Sequence, residues 1–260
     1  MILKKWCDIP EDLKNNKTKM YYDILEKKKT SLIIKKIFDL LLSLIVLIIL
    51  LPVFIVLSII IKLDSRGPIF YKQERITQYG RTFKIFKFRT MVNNADKIGS
   101  LVTLNNDCRI TRVGKILRKL RLDELPQLIN IFKGDMTFVG TRPEVKKYVD
   151  MYTDEMKATL LLPAGVTSYA SIEFKDEDKM LEKYVQKIRK EKLISAGVIS
   201  NENIEFNEKD KNIGVSKSVD QAYIENVLPQ KMKYNLEYIE NFSIINDFKI
   251  CINTVIGVLK

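Results

Sequence analysis

The sequence predicts an α+β protein that is mainly helical, with an apolar N-terminal helix, a small β-hairpin and interfacial amphipathic helices. Three observations carry this prediction. An uncharged run extends from Leu40 to Ile61, two short strand-like segments follow it at 68–75 and 81–89, and most of the remaining chain has helical periodicity. Apolar residues make up 46% of the 260 residues, which is enough for a folded core.

The composition of residues 1–36 predicts a basic, partly helical N-terminal extension that lies near a membrane. They contain ten lysines against five acidic residues. Basic segments of this kind are attracted to anionic lipid surfaces. We therefore divide the chain into this extension, a membrane segment at 37–62 and a cytosolic, interface-associated domain at 63–260.

The run from Leu40 to Ile61 is longer than the roughly 20 residues that cross a bilayer core, and it starts too late for an ordinary signal peptide. Basic residues flank both ends, so a spanning helix would place one basic flank outside, against the positive-inside tendency. Pro52 removes a backbone hydrogen bond and favours a kink. Two alternatives remain: a single spanning helix, or one that bends near Leu51 and Pro52 and returns to the same face.

Beyond the two predicted strands, which a turn at 78–81 joins, residues 112–121 predict a basic amphipathic helix. Ile116, Leu117 and Leu120 fall on one of its faces. Such a helix suits an anionic membrane surface, and the alternative is the ordinary solvated face of a soluble helix.

The rest of the chain predicts further helices and one insertion. Short-range patterns indicate a helix at 127–132, a turn at 133–135 and a helix over 144–161, and the end of the chain at 229–259 is again helical. Residues 175–220 are polar, charged and poor in aromatic residues. This composition predicts a surface insertion of helix and loop.

Composition excludes several kinds of chemistry. The chain has no histidine, so a His general base, a Ser-His or Cys-His pair and an imidazole metal site are all ruled out. The three cysteines are far apart and indicate neither a disulfide framework nor a CxxC metal site. The net charge of +12 points to an anionic partner, which leaves nucleic acid, anionic lipid and nucleotide phosphates open.

The adjacent carboxylates Asp123 and Glu124 are the sharpest candidates for chemistry. Arg118 and Arg121 lie close in sequence and suit a phosphate. An Asp can attack phosphorus and form an acyl phosphate, and a neighbouring carboxylate can hold Mg²⁺. The alternative is structural: Asp123 caps a helix that has Pro126 in its first turn.

Arg142 and Pro143 form a second candidate site, inside a short loop. Proline stiffens the loop, and a guanidinium can bind phosphate through two hydrogen bonds. The alternative is an ordinary turn with a surface arginine. The basic cluster 87–89 is open to two interpretations, a membrane-interface cluster or a solvated strand edge.

Taken together and in order, the motifs of this chain resemble those of the bacterial sugar transferase family, the monotopic phosphoglycosyl transferases that act on polyprenol phosphate. The matching stretches are KLDSRGPIF from Lys62, QER from Gln73, FKIFKFRTM from Phe83, RITRVG from Arg109, LDELPQLIN from Leu122, KGDM from Lys133, VGTRP from Val139 and PAGVT from Pro163. The resemblance covers residues 33–172 and resumes at 222–257.

The resemblance implies a re-entrant helix-break-helix at the cytosolic face of the bacterial inner membrane, and a catalytic role for the domain at 63–260. It implies a UDP-sugar donor, an undecaprenyl phosphate acceptor and Mg²⁺. By the same resemblance Asp123 is the nucleophile that forms a covalent phosphosugar intermediate, and Glu124 is a magnesium ligand. Arg118 and Arg142 match arginines that contact phosphate and nucleotide, and Pro143 shapes the loop near uridine.

The function expected from this resemblance is transfer of a sugar-1-phosphate to undecaprenyl phosphate with release of UMP, which initiates a surface polysaccharide or glycoconjugate. Membrane lipid and downstream glycosyltransferases are the further partners expected, and nucleic acid is not. Two alternatives belong to other classes: a noncatalytic membrane-anchored assembly factor, and a basic nucleic-acid-binding protein.

Overall fold

The computed structural model describes residues 3–93, 95, 107–174, 180–181, 183–188 and 215–259. Most of the insertion predicted at 175–220 lies outside these residues. Within them the chain is mainly helical and contains two small two-stranded sheets, so the predicted fold class is confirmed at this level.

The N-terminal segment folds against the main core. After two short 3₁₀ turns, Asn15 caps helix α1 (Asn16–Lys27) because its side chain accepts a hydrogen bond from the Thr18 amide at 2.8 Å. Apolar side chains of this segment, Leu3, Ile9, Leu13, Tyr21, Tyr22 and Leu25, are buried in the largest hydrophobic cluster. The partly helical character is confirmed, and the position relative to a membrane stays a prediction.

Helix α2 (Lys29–Asp64) contains the long apolar run and continues through Pro52. It is long and apolar enough to cross a membrane, with a mean hydropathy of 3.5 in its most apolar window. Its C-terminal end is capped by the buried Arg89, whose Nη2 donates to the carbonyls of Ile61 at 3.2 Å and Ser65 at 2.5 Å.

One side of α2 contacts the folded domain on both sides of Pro52. Before it, Val46, Leu47 and Leu50 pack on the hydrophobic cluster around Phe83 and Ile131. After it, Phe54 and Leu57 pack on the cluster of Ile61, Phe88 and Leu117. The opposite side is exposed, including Ile48 at 65% and Ile49 at 67%. The helix is therefore part of the folded body, and whether it re-enters or spans a bilayer stays a prediction.

The predicted hairpin is confirmed. Strand β1 (Phe70–Ile76) pairs antiparallel with β2 (Thr82–Phe88) across a 3₁₀ turn at Gln78–Gly80. Helix α4 (Gln127–Phe132) is attached to β2 through Asn130. The Asn130 Nδ2 donates to the Lys84 carbonyl at 2.8 Å, and the Asn130 Oδ1 accepts from the Phe86 amide at 2.9 Å. These bonds hold α4 against the middle of β2.

Helices α3 (Arg112–Lys119) and α4 (Gln127–Phe132) confirm the predicted helices at these positions. The apolar face predicted for α3 divides in two. Leu117 is buried against Ile61 and Phe88, whereas Ile116 and Leu120 are exposed at 60% and 49%. Adjacent helix positions differ by about 100°, so one turn of a short helix can present Leu117 and Ile116 to different surroundings.

The structure also contains a second sheet, which is not predicted from the sequence. Strand β3 (Met136–Val139) pairs parallel with β4 (Ala164–Thr167). Gly140 directly follows β3 and Gly165 is the second residue of β4, and the two backbones approach so closely that a Cβ at Gly165 would lie 2.2 Å from the Gly140 nitrogen. The pair holds the chain that leaves β3, because the Gly140 amide donates to the Thr167 carbonyl at 3.0 Å and the Gly165 amide to the Thr141 carbonyl at 2.8 Å.

The helix predicted over 144–161 is wrong. The structure has the short helix α5 (Lys146–Val149) and a separate 3₁₀ helix, Met156–Leu161. Between them the Asp154 carbonyl accepts hydrogen bonds from the Asn15 and Thr18 side chains, at 3.2 and 3.3 Å. This tertiary contact with the N-terminal segment takes the carbonyl away from a helical partner. Helix α6 (Tyr169–Glu173) follows β4.

The C-terminal part is helical, which confirms the helical character predicted for 229–259. Helix α7 (Val215–Ala222) runs through a π-helical turn, Tyr223–Val227, into α8 (Leu228–Glu240), and α9 (Ile244–Leu259) comes last. The break occurs at 241–243, where Ser243 Oγ accepts from the Asn246 amide at 3.1 Å and so starts a new helix.

A buried polar cluster joins α2, β3, α8 and α9. Lys35 Nζ lies 2.5 Å from Asp247 Oδ2 and 3.7 Å from Asp39 Oδ2. Tyr238 donates its hydroxyl proton to Asp247 Oδ1 at 2.8 Å, and Thr137 hydrogen-bonds Asp39. Lys35, Asp39 and Asp247 are at most 7% exposed, so their charges are satisfied by one another rather than by water.

Candidate active site

Asp123 lies in a 3₁₀ turn, Leu122–Glu124, between α3 and α4. Arg121, which precedes the turn, has a left-handed backbone with φ of 55°. That conformation costs a non-glycine residue on the order of 1–2 kcal/mol, and such residues cluster at functional sites. Asp123 is only 7% exposed. The N-cap of α4 is Pro126 and carries no side-chain cap bond, so the alternative that Asp123 caps this helix is wrong.

Glu124 is held between two cations from different parts of the fold. Lys87 Nζ and Arg142 Nη2 each lie 2.8 Å from Glu124 Oε1. Lys87 comes from the end of β2, and Arg142 comes from the loop that follows β3. The carboxylate thus connects the hairpin, the turn and this loop at one point.

Lys87 belongs to the site but is not predicted from the sequence, in which the basic cluster 87–89 indicates either a membrane interface or a solvated strand edge. A signal was present in the alternation of β2. Phe83 and Ile85 are buried, and Lys87 occupies the next position on the same face of the strand. A lysine on the buried face of an amphipathic strand requires an acidic partner, which here is Glu124.

The surroundings shift the pKa values of this group in opposite directions. Burial raises the pKa of Asp123, and the nearby Glu124 adds to this, while Lys87, Arg118 and Arg121 oppose it. Burial also works against ionisation of Glu124, but Arg142 and Lys87 outweigh it and hold the pKa of Glu124 well below its usual range. Burial lowers the pKa of Lys87, partly offset by Glu124. The surroundings thus favour the ionised form of Glu124 and raise the pKa of the adjacent Asp123.

The structure therefore brings Asp123, Glu124 and Arg142 together, and Arg118 on α3 acts on Asp123 through its charge. Pro143 follows Arg142 in the same loop and helps to fix the loop backbone, because its carbonyl accepts a hydrogen bond from Arg75 Nη1 at 3.1 Å. A role for Pro143 in substrate binding stays a prediction.

The donor set around Asp123 and Glu124 fits Mg²⁺ in the manner usual for phosphate enzymes, which is one or two carboxylates completed by substrate phosphates and water. Glu124 Oε1 accepts both of these charge-assisted contacts, from Lys87 and from Arg142. No cluster of three or more Asp, Glu, Cys or His side chains that could hold a metal occurs among the described residues. A bound Mg²⁺ would thus depend on oxygen atoms that a phosphate substrate brings.

A buried carboxylate pair among cationic side chains has the groups needed to bind a phosphate and to attack it. Comparison with known families matches residues 30–192 to the bacterial sugar transferases. The chain belongs to the bacterial sugar transferase family.

Several curated proteins are similar to this chain over slightly more than half of its length. A putative undecaprenyl-phosphate N-acetylgalactosaminyl 1-phosphate transferase of Bacillus subtilis is 41% identical over 135 residues, which are 52% of this chain and 75% of the relative. The UDP-N-acetylgalactosamine-undecaprenyl-phosphate N-acetylgalactosaminephosphotransferase of Aeromonas hydrophila is 37% identical over 142 residues, 54% of this chain and 34% of the relative.

The undecaprenyl-phosphate galactose phosphotransferase of Salmonella typhimurium is 34% identical over 165 residues, 58% of this chain and 34% of the relative. The alignment thus covers about a third of the Aeromonas and Salmonella proteins, and three quarters of the Bacillus one. The family match at residues 30–192 includes the candidate site. The names of these relatives specify two sugars, N-acetylgalactosamine and galactose.

Proposed function

We propose that the chain transfers a sugar-1-phosphate from a UDP-sugar to undecaprenyl phosphate, and so initiates assembly of a surface polysaccharide or glycoconjugate. The observation that carries this proposal is the buried Asp123 beside a Glu124 held by Lys87 and Arg142. The names of the relatives supply the class of substrates, a UDP-sugar and undecaprenyl phosphate.

The proposed reaction has two steps, both at phosphorus. In the first, a carboxylate oxygen of Asp123 attacks the phosphorus that bears the sugar, the bond from that phosphorus to UMP breaks, and UMP leaves. In the second, a phosphate oxygen of undecaprenyl phosphate attacks the same phosphorus and the Asp123 carboxylate departs. This scheme needs no histidine, which agrees with the composition.

The surrounding residues have separate tasks in this scheme. Arg118 and Arg142 are suited to the donor phosphates, since a guanidinium can bind phosphate oxygens through two hydrogen bonds. Lys87 keeps Glu124 ionised and in place. Glu124 would hold Mg²⁺ together with the donor phosphates, and the metal, when bound, supplies neutralisation of their charge.

UMP release tests the proposal. Purified chain in lipid nanodiscs is incubated with a panel of UDP-sugars, with and without undecaprenyl phosphate, in Mg²⁺ or in excess EDTA. We expect sustained UMP release with one donor only when both lipid phosphate and Mg²⁺ are present. Sustained release from no donor, in nanodiscs that retain the folded chain, would contradict the proposal.

Two exposed apolar surfaces support placement at a membrane. On α9 the apolar residues Ile245, Phe248, Ile252, Val255 and Ile256 are 45–69% exposed and recur at helical spacing. This stripe meets the exposed side of α2, because the rings of Phe38 and Phe248 are 5.3 Å apart at their centroids. Apolar surface of this extent fits contact with lipid. We infer a monotopic enzyme at the cytosolic face of the inner membrane.

Labelling of Cys7 tests this topology. Cys7 is exposed. In a chain with Cys108 and Cys251 changed to serine, we expect a membrane-impermeant maleimide to label Cys7 in inside-out vesicles and not in intact spheroplasts, because a re-entrant helix keeps both flanks inside. A cysteine introduced at Lys62, on the other flank of the apolar run, is expected to behave identically. Labelling of one position from each side would instead establish a spanning helix.

The pH dependence of kcat/KM tests the ionisation of Asp123. The nucleophile must be deprotonated, and burial raises its pKa, so we expect the acid limb to lie above the pH of about 4 that is ordinary for aspartate. Because the charge of Arg118 lowers that pKa, Arg118→Gln is expected to move the limb to higher pH. The control is Lys119→Gln, an exposed neighbour on α3. If the acid limb of the pH profile does not move in Arg118→Gln, the charge of Arg118 does not lower the pKa of Asp123.

A further inference from the structure

The loop that carries Arg142 has a second charged residue, Glu144, whose side chain points away from the candidate site. Glu144 is 6% exposed. Its Oε1 accepts a hydrogen bond from the Tyr223 hydroxyl at 2.5 Å and lies 3.7 Å from Lys231 Nζ. Tyr223 and Lys231 belong to the C-terminal helices, beyond the residues 30–192 that match the family.

The phenol of Tyr223 is the central member of this cluster. It donates to Glu144 and accepts a hydrogen bond from Lys231 Nζ at 3.1 Å. Arg75 Nη1 lies 3.9 Å from the other carboxylate oxygen of Glu144. The buried carboxylate thus lies near Arg75 on one oxygen, and on the other it is linked to Lys231 through the Tyr223 hydroxyl. Connected networks of this kind fix geometry better than isolated pairs do.

The backbone around Arg142 is held on the same side. The Pro143 carbonyl accepts from Arg75 Nη1 at 3.1 Å, and the Glu144 carbonyl accepts from the Ile76 amide at 2.9 Å. With this backbone in place, the Arg142 side chain reaches Glu124 at 2.8 Å. The direction of Arg142 therefore depends on where Glu144 is fixed.

The local structure at Tyr223 is itself unusual. Tyr223 opens the π-helical turn Tyr223–Val227 between α7 and α8. Such turns are rare in α-helices and are frequent at functional sites. The ring of Tyr223 also packs on that of Tyr148, with centroids 4.8 Å apart. Its hydroxyl is thereby aimed at Glu144 by the helix geometry and by the neighbouring ring.

We propose that Tyr223 and Lys231 are positioning residues for Arg142: by fixing Glu144 they hold the loop so that Arg142 faces Glu124 and the donor phosphates. The inference rests on the proposed function for its kinetic consequence. It assigns to the C-terminal helices a part in donor handling, through a chain of contacts from Tyr223 to Glu144 and from the loop backbone to Arg142.

Kinetics of Tyr223→Phe and Lys231→Met test this role. We expect KM for the UDP-sugar to rise roughly fivefold in each, an effect typical of residues coupled through one hydrogen-bond network, with kcat nearly unchanged. Lys231→Arg is expected to restore most of the loss. The matched control is Tyr148→Phe, which removes a hydroxyl that bonds Asp220 at 2.7 Å in the same neighbourhood but does not touch Glu144.

A double-mutant cycle separates positioning from general stability. In an Arg142→Ala background we expect Tyr223→Phe to raise KM no further, because the residue through which it acts is gone. If Tyr223→Phe raises KM equally in the wild-type and Arg142→Ala backgrounds, it does not act through Arg142 and the proposal is overturned. A fall in kcat with KM unchanged would also overturn it, since a merely structural role lowers only the amount of active enzyme.

Hydrogen exchange gives a readout that does not need turnover. The amides of Ile76 and Gly165 donate to the carbonyls of Glu144 and Thr141, on either side of Arg142. We expect both to exchange faster in Tyr223→Phe than in Tyr148→Phe. If wild-type chain releases no UMP but this difference appears, the proposed function fails while the positioning of the loop stands. If the two variants exchange alike, the positioning role is wrong.

Discussion

Replacing Asp123 by asparagine is expected to abolish turnover, with a loss of UMP release of at least about 10³-fold, the scale of effect seen when an enzyme loses its nucleophile. Asparagine has nearly the same shape and fills the buried position, so the fold is retained. What is lost is the charged oxygen that attacks phosphorus. UMP release by purified chain in nanodiscs measures the effect.

The control for this variant is Asp135→Asn, a second carboxylate that is 8% exposed and pairs with Arg81 at 2.8 Å, away from Glu124. We expect it to keep turnover within a few fold. In addition, wild-type chain incubated with donor in the absence of lipid phosphate is expected to gain the mass of a sugar phosphate, and Asp123→Asn is not. Normal turnover in Asp123→Asn would eliminate the covalent mechanism.

Replacing Lys35 by methionine is expected to have the largest effect on stability. The substitution removes the cation that lies 2.5 Å from Asp247 and 3.7 Å from Asp39, and leaves two buried carboxylates facing each other. Breaking a buried ion pair in this way costs roughly 3–5 kcal/mol. For a chain of this length we expect a fall in the melting temperature of about 10 °C, measured by thermal unfolding in detergent at pH 7.

The same variant has a predicted pH signature. Burial already raises the pKa of Asp247, and loss of the Lys35 charge raises it further. A carboxyl whose pKa is higher in the folded state stabilises the protein when protonated, and that stability is lost as pH rises through the folded-state pKa. The deficit of Lys35→Met relative to wild type is therefore expected to shrink as the pH is lowered.

The neighbouring Lys36→Met serves as control, because Lys36 is less buried than Lys35 and the Asp247 contact belongs to Lys35. We expect its melting temperature to stay within a few degrees of wild type. A Lys35→Met variant that melts like Lys36→Met would mean that the cluster contributes little to stability.

Local patterns in the sequence were sufficient for the hairpin and for α3 and α4. Strand alternation in 81–89, the basic amphipathic pattern of 112–121 and the apolar run after Pro126 act over a few residues, so they can be interpreted without the fold. The parallel pair β3 and β4 was missed for the opposite reason. Each strand has four residues, and the partner lies more than 20 residues away.

The candidate site shows the same division. Asp123, Glu124 and Arg142 were recognised because their motifs are short and chemically distinctive. Lys87 required the knowledge that β2 ends against Glu124, and Tyr223 and Lys231 required the docking of helices from the far end of the chain onto the loop at Glu144. Such contacts follow from tertiary packing, and no local propensity encodes them.

The buried cluster at Lys35 also determines when, during synthesis, this part of the fold can be completed. Lys35 leaves the ribosome early, but its partner Asp247 lies 212 residues further along the chain. At 5–20 residues per second, roughly 10–40 seconds of translation separate the two. During that time Lys35 has only its weaker partner Asp39, one helical turn away at 3.7 Å. The buried cluster can therefore close only after the last helix has been synthesised, so the packing of α9 against α2 is completed once nearly the whole chain exists.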